Sequence, residues 1–393
     1  MSERTAIMSG DFDLIIQGGH LIDPKNDLDG PADIAVKDGL VAAVAERIEP
    51  SSAKVIDVSG LYVTPGLIDI HVHVYGGYQG WLFPDQHALP YGVTTVVDTG
   101  GAGWKDMANF KRTIIDPAQT RVLAFVNIVG AGMIGAPEQD ISEMDPALCA
   151  KAIEQYREHV VGAKSAHFGG PGWESAGGAI EAARQSNSIA MIDFAPQPTR
   201  SYEELLERMS PGDIHTHLYA AHIPLLDADK KVADYVRQAR QRGIVFDTGH
   251  GNGSFWFRIA VPAMAQNFPP DTISTDLHKS SRMLPNATMP ITMSKFLNLG
   301  MSLQEVVYRS THKPAEVIGH PELGHLSVGT EADLAAFALH EGDFAFVDSG
   351  RARMQGQQKL ECELTLRAGR IVWDLNGHSL VDWDKAGEYR HLA

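Results

Sequence analysis

The segment Thr64-Pro65-Gly66-Leu67-Ile68-Asp69-Ile70-His71-Val72-His73 opens on a Pro-Gly break and ends in two histidines spaced by one residue. Strand side chains alternate between faces. The pattern therefore predicts Asp69, His71 and His73 on one face, with Ile68, Ile70, Val72 and Val74 turned outward toward helices. Two imidazoles so spaced can share one metal ion. A bare His-x-His pair is a weak signal, and its place at the end of an apolar run, ahead of Gly76-Gly77, strengthens it.

Downstream the texture repeats. Apolar runs GLIDIHVHV, VTTVVDT, RVLAFVNIV, VVGAKSA, SIAMIDF, DIHTHLY, GIVFDTG and TISTDLH alternate with helical stretches at 105–115, 146–158, 174–187, 201–209, 229–242 and 254–267. Asp145-Pro146 reads as an N-cap with proline at the first helical position, and Ser201 with Glu204 resembles a capping box. Eight near-continuous apolar strands, each followed by a helix, predict an α/β fold with a parallel (β/α)8 TIM barrel over 64–320. An open doubly wound sheet would call for a GxGxxG turn after an early strand, and the sequence has none there. Both ends differ from this centre. DLIIQGG, ADIAVKDG, LVAAVA and KVIDVSG, then ADLAAFAL, CELTLRAG and RIVWDL, read as short strands. Tight turns such as Lys37-Asp38-Gly39 and Arg367-Ala368-Gly369-Arg370 join them. Residues 1–63 and 321–393 are expected to build one small β-domain together.

Composition narrows the function. The chain has 393 residues, 21% of them charged, with net charge −16 and no basic run, so nucleic acid and anionic membrane are poor partners. Its two cysteines, Cys149 and Cys362, suggest neither a disulfide framework nor a thiolate metal site. The start, MSERTAIMSG, has no apolar core of signal-peptide length and no apolar run reaches membrane-spanning length, and a cytoplasmic location is the expectation.

In a parallel barrel the reactive groups stand where strands end. Run four ends Gly162-Ala163-Lys164, and an ammonium there costs several kcal/mol to bury. Such a lysine either snorkels or pairs with a carboxylate, or is an amine of lowered pKa open to reaction or modification. Gly162 is expected to leave room for it. Run five ends in Asp193. Run six holds a second pair, His215 and His217, expected on one face. Run eight ends in Asp276, which could be a ligand, a general base or both, and is followed by His278. His250 follows run seven. These nitrogen and oxygen donors favour Zn2+, one or two ions, and also admit Mn2+, Fe2+ or Ni2+. A bound ion would bring the pKa of its water to roughly 7 and polarise a carbonyl.

At this point the residues resemble a known family. The stretch 64–73, together with Gly92-Val93-Thr94-Thr95-Val96-Val97-Asp98, Thr216-His217, Gly249-His250-Gly251, Ser274-Thr275-Asp276-Leu277-His278 and 311–334, is similar to the amidohydrolase superfamily, the dihydroorotase-like metal-dependent hydrolases, in its amidohydrolase/deacetylase branch. The resemblance covers nearly the whole chain. It implies the barrel, a small β-sandwich from the two ends, and a metal centre. His71 and His73 would bind the more buried ion, Lys164 would be an N6-carboxylysine bridging two ions, and His217 would bind the second. Asp276 would contact the first and act as general base and acid. One position departs: the family's usual histidine at the end of strand five is Asp193 here. An aspartate can also bind zinc; otherwise the second ion is weak or absent, or His215 reaches in. His250, Tyr219, His222, Trp173 and His278 follow strand ends and are candidates for substrate contact.

The implied reaction is cleavage of an amide, cyclic amide or ester by metal-activated water, with deacylation of a small N-acyl or O-acyl compound as the leading case. A lactonase, phosphoester hydrolase or isomerase on the same scaffold is the alternative, and a metal-free scaffold the remote one. A homo-oligomer rests only on how often such enzymes assemble.

Overall fold

The computed structural model describes residues 10–75 and 81–388, so Gly76-Gly77 lies outside the described residues. Seven parallel strands lie side by side in sequence order: β1 (Leu67–Val72), β2 (Val93–Gly103), β3 (Arg121–Asn127), β4 (Val160–Ser165), β5 (Ile189–Ile192), β6 (Ile214–His215) and β7 (Val245–Phe246). Parallel neighbours need long crossovers, and these carry helices, among them Pro146–Gln155, Glu174–Gln185, Tyr202–Arg208, Asp234–Gln241 and Phe257–Ala265. The result is a curled parallel sheet in a mixed α/β fold. The eighth run forms no continuous strand. It touches both outer strands through isolated parallel bridges, Asp247 with Thr272 and Val72 with Leu277.

Local chemistry accounts for the helix starts. The Asp145 carboxylate accepts from the amides of Ala147 and Leu148, with Pro146 at the first position. Ser201 Oγ accepts from Glu204 N, but the Glu204 carboxylate turns to Arg208, so only half of the expected capping box forms.

Alternation in β1 departs from expectation. A register shift lies between Asp69 and Val72 in the pairing with β2. Ile68 and Ile70 pack with Val97, Leu123, Phe125, Val161, Met191 and Ile214 on the concave side, where the short helix His312–Val317 supplies Ala315 as a stopper. Val72 and Val74 face the helical layer as expected. Asp69 lines a small cavity with Val72, Val74 and Val96 instead of joining the histidines. Its carboxylate accepts from Thr275 N and Oγ1 and from His71 N, and burial lifts its pKa to about 7. The bulge lets Ile70 and His71, consecutive in sequence, both serve the concave side.

The two ends of the chain form two further sheets. One has four strands in the order Leu40–Ala45, Asp33–Lys37, Leu14–Gln17, Lys54–Asp57. The other has six, in the order Arg370–Asp374, Arg353–Arg367, Leu334–Val347, Tyr62–Pro65, His20–Asp23, Leu28–Pro31. Both contribute to one apolar core that includes Ile16, Ile34, Leu21, Val63, Leu334 and Leu366. At the turns, Asp38-Gly39 and Ala368-Gly369 take left-handed backbone at both central positions, as two-residue hairpins require. The strands from Leu334 and Arg353 run 14 and 15 residues, well beyond the short segments legible in sequence. Among the described residues no helix is long and apolar enough to cross a membrane.

Candidate active site

At the carboxyl ends of the strands, His71, His73, Lys164, Asp193, His217, Asp276 and His278 line one cavity of about 40 Å3, with Met133 and His167. His71, His217 and Asp276 each present a ligand atom within 4.8 Å of the other two. His73 Nε2 lies 2.9 Å from Asp276 Oδ1, and His71 Nε2 lies 3.6 Å from the same oxygen.

Each group is held from behind. Thr216 Oγ1 donates to Asp247 Oδ2 at 2.8 Å and accepts from His71 Nδ1 at 2.8 Å. The hydrogen on Nδ1 leaves the Nε2 lone pair facing the cavity. Asp247 also accepts from Thr272 and Ser274, so three neighbouring segments are tied to the His71 ring. His217 donates from Nδ1 to Gly249 O at 2.7 Å, turning Nε2 toward Asp193 Oδ2 at 3.5 Å. Behind His73, the Asp98 carboxylate accepts from Val74 N, Tyr75 N and Gly101 N and fixes the chain leaving β1.

The backbone is strained at this rim. His217 and Asp276 adopt left-handed conformations with φ of 64° and 46°, which non-glycine residues keep only where the surroundings enforce them. A Cβ on Gly251 would stand 2.2 Å from Asp276 Oδ2, so only glycine leaves space for that carboxylate.

Lys164 is fully buried, and its Nζ has no hydrogen-bond partner. Burial lowers its pKa against the opposing pull of Asp193 and Asp276. Gly162 makes room for something else than expected: a Cβ there would strike the Ile189 carbonyl of the next strand. Gly100 is the residue that clears space for the lysine, its missing Cβ lying 2.8 Å from Lys164 Cγ. Burial by itself would raise the Asp193 and Asp276 carboxyls. The neighbouring imidazoles outweigh it, His217 and His167 holding Asp193 well below the usual range and His73 and His278 bringing Asp276 to about 2. His71 is pushed far down by burial and by Lys164, and is neutral. The donor set is thus two ionised carboxylates, a neutral His71, a His217 whose pKa Asp193 raises to about 9 against its burial, and an unpartnered amine, which suits a divalent cation better than it suits a protein interior without one.

Several expectations are corrected. His215 does not share a face with His217. The strand ends at His215, whose ring packs on Tyr202 at 4.8 Å and on Phe246 in the outer layer, so it does not reach the site. Of the five candidates for substrate contact, His278 alone lines the cavity, with Nε2 3.9 Å from Asp276 Oδ2. Tyr219 is buried in the outer core, its hydroxyl donating to Phe268 O. His250 is buried against Phe255; its Nδ1 donates to Gly251 O and its Nε2 accepts from Lys295 Nζ at 2.6 Å. Trp173 stacks on Phe194 beneath Arg208, and His222 is exposed on its loop. Sequence reasoning missed Thr216, Asp247 and His167. The first two are polar residues inside apolar runs, a signal that could have found them. His167 sits past the end of β4 in a loop and gives none.

The model of the amidohydrolase family matches residues 62–372. A deacetylase of Brucella anthropi is 32% identical over 337 residues, 82% of this chain and 83% of the relative. A deacetylase of Enterococcus faecalis is 30% identical over 92% of this chain and 99% of its own length. Among solved structures, an adenine deaminase superposes with TM-score 0.85 at 30% identity over 93% of this chain and all of the other. A dihydroorotase does so with TM-score 0.83 at 28% identity, over 92% of this chain and 99% of the other. Sequence, fold and the ring of donors at the strand ends agree, and the chain belongs to the amidohydrolase family.

Proposed function

We propose that this chain is a cytoplasmic metal-dependent hydrolase that deacylates a small N-acyl or O-acyl compound. The scaffold it implies is a closed (β/α)8 barrel over 64–320, with a β-sandwich from 1–63 and 321–393. The bridges that 272–277 makes to both outer strands, and the core shared by the two end sheets, support that architecture. The observation that carries the functional reading is the orphaned Lys164 Nζ among ionised carboxylates and imidazoles. As N6-carboxylysine, formed when the neutral amine takes up CO2 and releases a proton, it would become an anionic ligand whose buried charge bound cations would offset.

His71 and His73 would hold one ion, His217 and Asp193 a second, with Lys164 between them and Asp276 on the first. Zinc fits this nitrogen and oxygen set, and Mn2+, Fe2+ or Ni2+ would also be accepted. An ion held there would supply a Lewis acid for the acyl carbonyl and lower the pKa of its water to roughly 7. Asp276, ionised, would accept the water proton and return it to the leaving nitrogen or oxygen. His278, beside it, is placed to contact substrate. Thr216 and Asp247 keep His71 aimed, while burial and the neighbouring cationic groups keep it neutral. Relatives named deacetylase support deacylation as the reaction class.

The test is metal analysis of protein purified without chelator, with one to two equivalents expected. Lys164→Ala should lose metal and activity and regain part of both with added short-chain carboxylates. A metal-free wild type ends the hydrolase reading, and full activity of the unrescued variant ends the bridging role. A panel of acyl, lactone and phosphoester substrates separates the deacylase from its alternatives.

A further inference from the structure

We propose that His167 supplies the imidazole that strand five lacks, joining Asp193 and His217 as a ligand of the second ion, with Glu138 as the carboxylate that orients it. The inference rests on the metal-hydrolase reading and deepens it.

Asp193 Oδ2 stands between two imidazoles. His217 Nε2 is 3.5 Å from it and His167 Nε2 is 3.8 Å from it, and all three residues line the same cavity as Lys164. His167 comes three residues after Lys164, so the segment that carries the candidate bridging group also carries the extra ring.

The far side of the His167 ring is built as metal-bound histidines require. Nδ1 lies 2.8 Å from Glu138 Oε2, and a carboxylate there takes the Nδ1 hydrogen and leaves Nε2 as the free donor toward Asp193. Glu138 is 2% exposed, and its other oxygen accepts from Gly135 N at 2.8 Å, so this acid is fixed in place rather than lying on the surface. The loop is fixed as well. Gln139 donates from Nε2 to His167 O at 2.7 Å and accepts from Gly169 N at 2.9 Å, holding His167 at φ 57°. A surface ion pair needs none of this, since exposed pairs contribute little to stability. The ring itself is half exposed, with Nε2 on the side of Asp193.

The experiment is zinc stoichiometry and affinity, by equilibrium dialysis of the full chain followed by elemental analysis. Wild type should bind two equivalents. His167→Asn removes the ring while keeping a residue that tolerates left-handed backbone, and should bind one. Glu138→Gln should still reach two, with the second bound about 10- to 100-fold more weakly. Adding Asp193→His to His167→Asn should restore the second equivalent, which a misfolded variant could not do. Two equivalents at wild-type affinity in His167→Asn, or a single equivalent in wild type, would overturn the assignment while leaving the hydrolase reading intact. No metal in wild type would overturn both.

Discussion

The two ends of the seven-stranded sheet are made from the same strands and from opposite chemistry. Beneath the site, Ile68, Ile70, Leu123, Phe125, Met191 and Ile214 fill the concave side against Ala315 and Ile318. At the carboxyl ends, an imidazole in β1 and another just past it, a lysine from β4 and carboxylates after β5 and in the eighth run crowd a cavity of about 40 Å3. The first end gains free energy by excluding water from apolar surface. The second spends it on buried charge and left-handed backbone, which persist because Asp98, Thr216, Asp247 and the glycines enforce them. The stability of one end is what lets the other be unfavourable.

That division can be broken by experiment. The largest effect should come from Asp276→Asn. Turnover should fall by about 10³- to 10⁴-fold, with metal content measured by elemental analysis largely kept, because a general base is lost while the amide still fills the site. Retained turnover would remove Asp276 from the mechanism. Phe125→Ala, at the opposite end, should cost about 3–5 kcal/mol of unfolding free energy in urea while leaving activity per folded molecule near wild type. A proportional loss of specific activity would show that the ends are not separable. Thr216→Val removes the hydroxyl between His71 and Asp247 and should weaken metal binding by about 10- to 100-fold in competition with a chelating dye, with little change in melting temperature.

The smallest effect concerns Lys295, buried against His250 and the Val347 carbonyl away from the cavity. Burial brings its pKa to about 7 despite Asp348. The unfolded chain therefore holds more protons than the folded one between about pH 7 and the free lysine value, and stability should rise with pH across that window, by up to about 1.4 kcal/mol per unit. Lys295→Met should flatten this rise in thermal melts recorded from pH 7 to 9. An unchanged slope in the variant would assign the rise to other groups.

Much of the plan was legible in sequence. Six of the seven strands fall inside the apolar runs, and β2 fills its run and continues to Gly103, because buried parallel strands are apolar on both faces; helix starts such as Asp145-Pro146 carry their own chemistry. The residues that face the cavity were legible where strand ends carry His, Lys or Asp. What failed is the assumption of unbroken alternation. The bulge in β1 turns Ile70 and His71 to one side and sends Asp69 elsewhere, and the early end of β6 separates His215 from His217. A period of two cannot announce where it stops. His167 and Glu138 were invisible for another reason. They meet across 29 positions, through a 3-10 turn and a left-handed loop residue that no local pattern encodes.

The bulge between Asp69 and Val72 has an evolutionary corollary. Stopper and ligand are adjacent letters there, so losing or gaining one residue would deliver an isoleucine to the place of an imidazole without disturbing the hydrophobic content of the strand. This short stretch should be intolerant of length change even where it tolerates substitution. The far end of the hairpin from Leu334 to Arg367 already carries a second irregularity, between Glu341 and Phe344, and should absorb insertions with little consequence.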